Sequence, residues 1–137
     1  MKVVLDTNCL LQIVFPKSNY KEIWDSLLAQ KYTICLSNEI MLEYREILER
    51  RFGSATFADE VMELIASLPN VDYVNPTYRF NLITADPDDN KFVDCAIVAG
   101  ATYIVSNDRH FDELKRYDFP KVDVRKLSEF LNIIRTL

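Results

Sequence analysis

The segment Lys2-Val3-Val4-Leu5-Asp6-Thr7-Asn8 is a short apolar run broken by an acid and two polar residues. Four consecutive residues rich in β-branched side chains read as a buried strand. A strand apolar at consecutive positions, as at Val3, Val4 and Leu5, has both faces covered, as in a parallel sheet. Asp6 is the only charged residue between Lys2 and Lys17. A carboxylate set among buried groups is costly unless something pairs with it, so Asp6 is either a helix cap for the segment that follows or part of a site.

The rest of the chain repeats this alternation. Cys9 to Phe15 reads as a short helix stopped by Pro16, and a second helix runs to about Gln30. Tyr32 to Leu36 reads as a strand. Ser37 caps a helix to about Phe52, with Ile40, Met41, Tyr44, Ile47 and Leu48 as its apolar stripe and Gly53 as its stop. A further helix spans about Thr56 to Leu68, and Val71 to Val74 is a third strand. Residues 75–89 read mostly as loop, with Pro76 and Pro87. Asn90 to Ala99 is a helix closed by Gly100, and Tyr103 to Ser106 a fourth strand. A short helix over Arg109 to Arg116, a fifth strand at Val122 to Val124 and a last helix over Leu127 to Ile134 complete the pattern. Short strands alternating with helices predict an α/β fold: a parallel sheet of about five strands with helices on both faces, in one domain over residues 1–137.

Composition narrows the function. The 137 residues are 49% hydrophobic and 27% charged, the balance of a folded protein. The only glycines, Gly53 and Gly100, cannot build a phosphate-binding glycine loop. No apolar run approaches the ~18 residues of a membrane span, and an acid at position 6 interrupts any signal-peptide core, so a cytoplasmic protein is expected. Cys9, Cys35 and Cys95 form no zinc-type pair and read as buried thiols. A net charge of -5 argues against coating nucleic acid by bulk electrostatics. It is compatible with a carboxylate cluster whose bound cations attract phosphate.

Three other acids stand out. Asp94 is the only charged residue between Lys91 and Asp108. It lies in an apolar helix, so it either faces solvent or meets a partner. Asp108 follows the fourth strand and is either a helix cap or a site residue. Asp6 and Asp108 both lie at strand carboxyl ends, where open parallel sheets carry their functional crevice. Glu43 borders the stripe of its helix near that edge, with Glu39 competing for the same role. Oxygen donors without a histidine cluster suit Mg2+ or Mn2+. The lone His110 supports no histidine-based nucleophile.

These residues resemble the motifs of PIN domains. Val-Val-Leu-Asp6-Thr7-Asn8 is similar to the first motif. Ser37-Asn38-Glu39-Ile40-Met41-Leu42-Glu43-Tyr44 is similar to the second, with Glu43 at the acidic position. Asp88-Asp89-Asn90-Lys91-Phe92-Val93-Asp94-Cys95-Ala96 resembles the third, and Ile104-Val105-Ser106-Asn107-Asp108 the fourth. The likeness runs from about residue 2 to 125 and resembles in particular the bacterial and archaeal toxin components of toxin–antitoxin systems. It implies a three-layer α/β/α sandwich and a Mg2+ or Mn2+ ribonuclease whose catalytic and metal-holding tetrad is Asp6, Glu43, Asp94 and Asp108. Asn8 and Ser106 would support it. An RNA substrate, a small antitoxin and homodimerisation are implied as well. Asn107 replaces a common Gly, and His110 stands where another acid is frequent, with Asp112 two places on. Asp89 is a further candidate ligand, or else the cap of the helix from Asn90. Lys17, Lys21, Arg45, Lys91, Arg109 and His110 are candidate RNA contacts.

Two competing readings remain. One is a PIN-like module without activity that only binds a protein partner. The other is an enzyme forming an aspartyl phosphate, which would want a second Asp at position 8, where this chain has Asn.

Overall fold

The computed structural model describes all 137 residues. Five parallel strands form one sheet: β1 (Lys2–Leu5), β2 (Thr33–Leu36), β3 (Val71–Tyr73), β4 (Tyr103–Val105) and β5 (Val124–Arg125). Their spatial order is β3-β2-β1-β4-β5. The chain therefore winds outward from β1 in one direction, returns, and continues on the other side through β4. The switch lies between β1 and β4, where such sheets open a crevice at the strand carboxyl ends. Leu5 pairs with Val105, so Asp6 and Ser106 leave the sheet side by side.

The helices cover both faces: α1 (Thr7–Val14), α2 (Lys21–Leu28), α3 (Asn38–Phe52), α4 (Ala55–Ser67), α5 (Asn90–Ala99) and α6 (Leu127–Arg135). The central strands are buried over their last three residues, Val3–Leu5 and Ile34–Leu36, as those apolar runs require. One cluster of 35 buried residues joins sheet and helices. Local signals end the elements where expected. The Ser37 hydroxyl accepts from the Ile40 N–H at 3.4 Å to cap α3. Gly53, with φ of 64°, turns the chain out of that helix in a conformation that side chains with a Cβ resist. Ile40, Tyr44 and Leu48 bury the α3 stripe, and the Tyr44 hydroxyl donates to the Leu5 carbonyl, pinning α3 to β1. The three cysteines are buried free thiols, and no helix is long and apolar enough to cross a membrane.

The short helix expected over Arg109–Arg116 is present, with 3-10 geometry. The last strand sits at Val124–Arg125 instead of Val122–Val124, because Ile104 and Val105 of β4 pair with Val124 and Arg125. The segment 75–86 is a long loop held by side chains. The Asn90 amide exchanges two hydrogen bonds with the Ile83 backbone, at 2.9 and 2.8 Å. Glu113 accepts from the Thr84 and Ala85 N–H groups at 3.0 and 2.7 Å, which holds its carboxyl below the usual range.

Candidate active site

Asp6 follows β1 with only 6% of its surface exposed. It makes no capping hydrogen bond to α1, so capping does not account for it. Ser106, the residue after β4, donates its hydroxyl to Asp6 Oδ2 at 2.8 Å. The Ser106 Oγ in turn accepts from the Asp108 N–H at 3.0 Å. One serine thus aims the first acid and fixes the turn that presents the second. Burial pushes the Asp6 carboxyl up from its ordinary range. The Ser106 bond opposes this, and the nearby charges of Asp108 and Glu43 add to it.

Asp108 caps a turn and also lies at the crevice. Its Oδ1 caps the following turn by accepting from the His110 N–H at 2.9 Å, and the carboxylate lies beside Asp6 on the crevice. Asn107, standing where glycine is common in the resembling motif, accepts from the Leu127 N–H at 2.9 Å and so ties this turn to the start of α6. Glu43 reaches the crevice from α3. The Thr7 hydroxyl donates to its Oε2, and the Lys91 ammonium pairs with its Oε1 at 2.9 Å. The Lys91 side chain is 8% exposed and also reaches Asp88 at 3.1 Å, so it is an internal counter-charge and not a free RNA contact.

The third motif is placed differently from expectation. Asp94 is 2% exposed, but it does not join this group. Its Oδ1 accepts from the Phe80 N–H at 3.2 Å. It lines a separate polar pocket of about 120 Å3 with Glu39, Arg79 and Lys91. Burial raises its pKa, and the Phe80 N–H and Arg79 pull it back. Asp94 is therefore an anchor for the 75–86 loop. Asp89 takes the place at the crevice. It stands at the N-cap of α5, yet its side chain makes no capping bond. Its pKa is pushed up to about 6, by burial first and then by the charges of Asp86, Asp6 and Asp108. Helix geometry explains the exchange: a step from 89 to 94 is a rotation of about 140°, so the two cannot share a face.

Asp86, which nothing in the sequence singles out, lies beside Asp89. Ligand atoms of Asp86, Asp89 and His110 all fall within 4.8 Å of one another. The supporting candidates divide as well. Asn8 lines the crevice beside Asp6 without bonding it, whereas Asp112 faces solvent and pairs with Lys115 at 3.5 Å. The structure thus brings four carboxylates together at this edge, Asp6, Glu43, Asp89 and Asp108, with Asp86 adjoining. Lys91 compensates Glu43, and no Lys or Arg compensates the others. Unneutralised oxygens converging at a strand edge fit a hard divalent cation. The buried Asp89 Oδ2, which lacks any hydrogen-bond partner, fits it too.

The crevice opens into a groove of about 910 Å3 lined by Asp6, Asn8, Asp108, Phe15, Tyr20, Phe52, Lys17 and Arg51 among others. Phe15 is 46% exposed and lies nearly parallel to Phe52, with centroids 6.4 Å apart. Lys21, Arg45 and Arg50 nearby are paired with acids, whereas Lys17 and Arg51 are exposed on the groove and make no ion pair. Of the six cations expected near RNA, only Lys17 lines this groove. Arg51 joins it unannounced, because nothing in its local sequence marks the end of α3 as close to α1.

Residues 2–110 match the profile of the PIN-domain family. The chain belongs to that family. Its structure is similar to that of VapBC2 from Rickettsia felis, crystallised bound to a DNA fragment from its promoter. The TM-score is 0.63 at 16% identity, covering 92% of this chain and 98% of that one. It is also similar to the PIN domain endonuclease Utp24, with a TM-score of 0.52 at 16% identity, covering 91% and 84% of the two chains. These likenesses establish a PIN-like α/β fold with a central parallel sheet. Among curated proteins the sequence has no match.

Proposed function

We propose that this PIN-domain chain is a divalent-metal-dependent ribonuclease that hydrolyses phosphodiester bonds in single-stranded RNA. The observation that carries the reading is the meeting of Asp6, Asp89 and Asp108, uncompensated by Lys or Arg, at the mouth of a groove bearing Lys17 and Arg51. Acids alone would repel a polyanion. Acids that hold a cation, next to free cations along a groove, attract and orient one.

In this reading Asp6, Glu43, Asp89 and Asp108 hold Mg2+ or Mn2+. Such a cation, when bound, lowers the pKa of an attacking water and offsets the charge that builds on the phosphate. The protein's own part is positional. Ser106 fixes the direction of Asp6 through its 2.8 Å bond. Thr7 and Lys91 hold Glu43 from two sides. Lys17 and Arg51 meet backbone phosphates, and the exposed ring of Phe15 offers a face on which a base can stack. Hydrolysis by water needs no ribose hydroxyl as nucleophile, so a 5′-phosphate product is expected.

The toxin-type motifs support a place as the toxin of a cytoplasmic toxin–antitoxin pair, with a small antitoxin and a second copy of this chain as partners. The shape shared with VapBC2 agrees.

The test is cleavage of a structured and an unstructured RNA with Mg2+, with Mn2+ and with EDTA. The wild type should cut the unstructured RNA only with metal. Asp6→Asn and Asp89→Asn should lose about 100-fold or more in rate, on the scale of one lost electrostatic group. Folded wild-type protein that cuts no RNA with either ion would favour a module that only binds a partner.

A further inference from the structure

One metal-ligating side chain beside these acids is an imidazole. His110 Nδ1 lies 3.4 Å from Asp89 Oδ2 and 3.4 Å from Asp108 Oδ1. Both His110 Nδ1 and Asp89 Oδ2 are buried, and neither has a hydrogen-bond partner. Buried polar atoms are almost always paired, so two that face each other unpaired point to a third body between them. The spacing suits a cation. Donors about 2.1 Å from one ion lie about 3 Å apart when adjacent in an octahedral shell.

Resting on the metal reading above, we propose that His110 supplies a nitrogen ligand, through Nδ1, to the cation held by Asp89 and Asp108. The site thereby prefers a first-row transition ion to Mg2+. Mg2+ keeps to oxygen donors and sheds water reluctantly. Imidazole nitrogen suits the first-row transition ions better, and Mn2+ accepts both donor types. Carboxylates alone would leave the choice to abundance. One imidazole among them biases it. The backbone supports this placement: the His110 N–H bonds Asp108 Oδ1 at 2.9 Å, which holds the residue in the turn beside the acids. Asp86, whose carboxylate falls within the same 4.8 Å group, completes a mixed oxygen and nitrogen set.

The experiment uses the full chain stripped with EDTA and titrated calorimetrically with MnCl2 and with MgCl2. Pulsed EPR of the Mn2+-loaded protein reads nitrogen coupling directly. Melting curves without metal verify that each variant folds. Wild-type protein should show 14N coupling to Mn2+, and His110→Ala should not. His110→Ala should weaken Mn2+ binding roughly tenfold or more, the scale of losing a group that touches or orients a metal. Its Mg2+ affinity should stay within about threefold, since Mg2+ gains little from imidazole. His110→Asp, with an all-oxygen set, should lower the Mn2+/Mg2+ affinity ratio about tenfold. Mn2+ bound without nitrogen coupling, or bound equally by wild type and His110→Ala, overturns the proposal and makes His110 an ion-pair partner of the two acids. Failure of the wild type to bind either ion overturns both this proposal and the metal reading beneath it.

Discussion

Replacing Asp89 by Asn should make the metal-free protein more stable while disabling it. The Asp89 pKa is pushed up to about 6 from 3.8. An acid raised on folding is disfavoured in its charged form by the folded state. Its cost is absent well below the ordinary value of 3.8, where it is protonated in both states, grows as pH rises toward 6, and is complete above that. The shift corresponds to about 3 kcal/mol at 1.36 kcal/mol per tenfold. The crevice admits water, and screening reduces this to about 1–2 kcal/mol. For a chain of this length that is a rise in Tm of roughly 3–8 °C for Asp89→Asn at pH 7.5 in EDTA. At pH 4 the difference should shrink to about a fifth of this. With saturating Mn2+ the order should reverse, since only the wild type gains from binding. Differential scanning calorimetry at the two pH values, with EDTA and with Mn2+, measures all of this. A variant that melts lower than wild type at pH 7.5 in EDTA would refute the argument and return Asp89 to a structural role at the start of α5.

Asp94 should behave in the opposite way. Asp94→Ala leaves the Phe80 N–H without its acceptor and should cost about 1–3 kcal/mol in thermal or urea unfolding, with Mn2+ affinity within about threefold of wild type by calorimetry. Ser106→Ala removes the donor to Asp6 and the acceptor of the Asp108 N–H together. It should weaken metal binding about 10- to 100-fold, with Ser106→Thr recovering much of the affinity. Lys17→Glu and Arg51→Glu should weaken RNA binding without changing metal affinity. Fluorescence anisotropy across a salt series should show a shallower slope of log K, by about 0.7 for each phosphate of a single strand that the variant no longer neutralises. Lys91→Gln frees Glu43 from its counter-charge and should tighten divalent binding, read by calorimetry, at some cost in Tm.

What is legible in the sequence divides along the range of the forces involved. β1, α3 and α5 are readable because apolar run, cap and glycine stop are all local, as at Ser37 and Gly53. The acids that follow β1 and β4 could share a crevice only if those strands are neighbours, a condition the sequence leaves open and the pairing of Leu5 with Val105 meets. The third acid is not readable this way. An isolated carboxylate in an apolar helix needs a partner, but the partner need not be a metal. For Asp94 it is the Phe80 N–H of a loop that has no periodicity and no fixed direction until Asn90, Asp94 and Glu113 hold it. Asp89 looks like a cap because acids before helices usually are. Its missing capping bond shows only once the 75–86 loop brings Asp86 beside it and the β4 turn brings Asp108. Arg51 and Phe52 meet the groove for a similar reason, since α1 and the end of α3 come together only through tertiary packing. What separates Asp6 and Asp89 from Asp94 is where the fold turns each carboxylate: Asp94 meets the N–H of a loop, whereas Asp6 and Asp89 meet other acids.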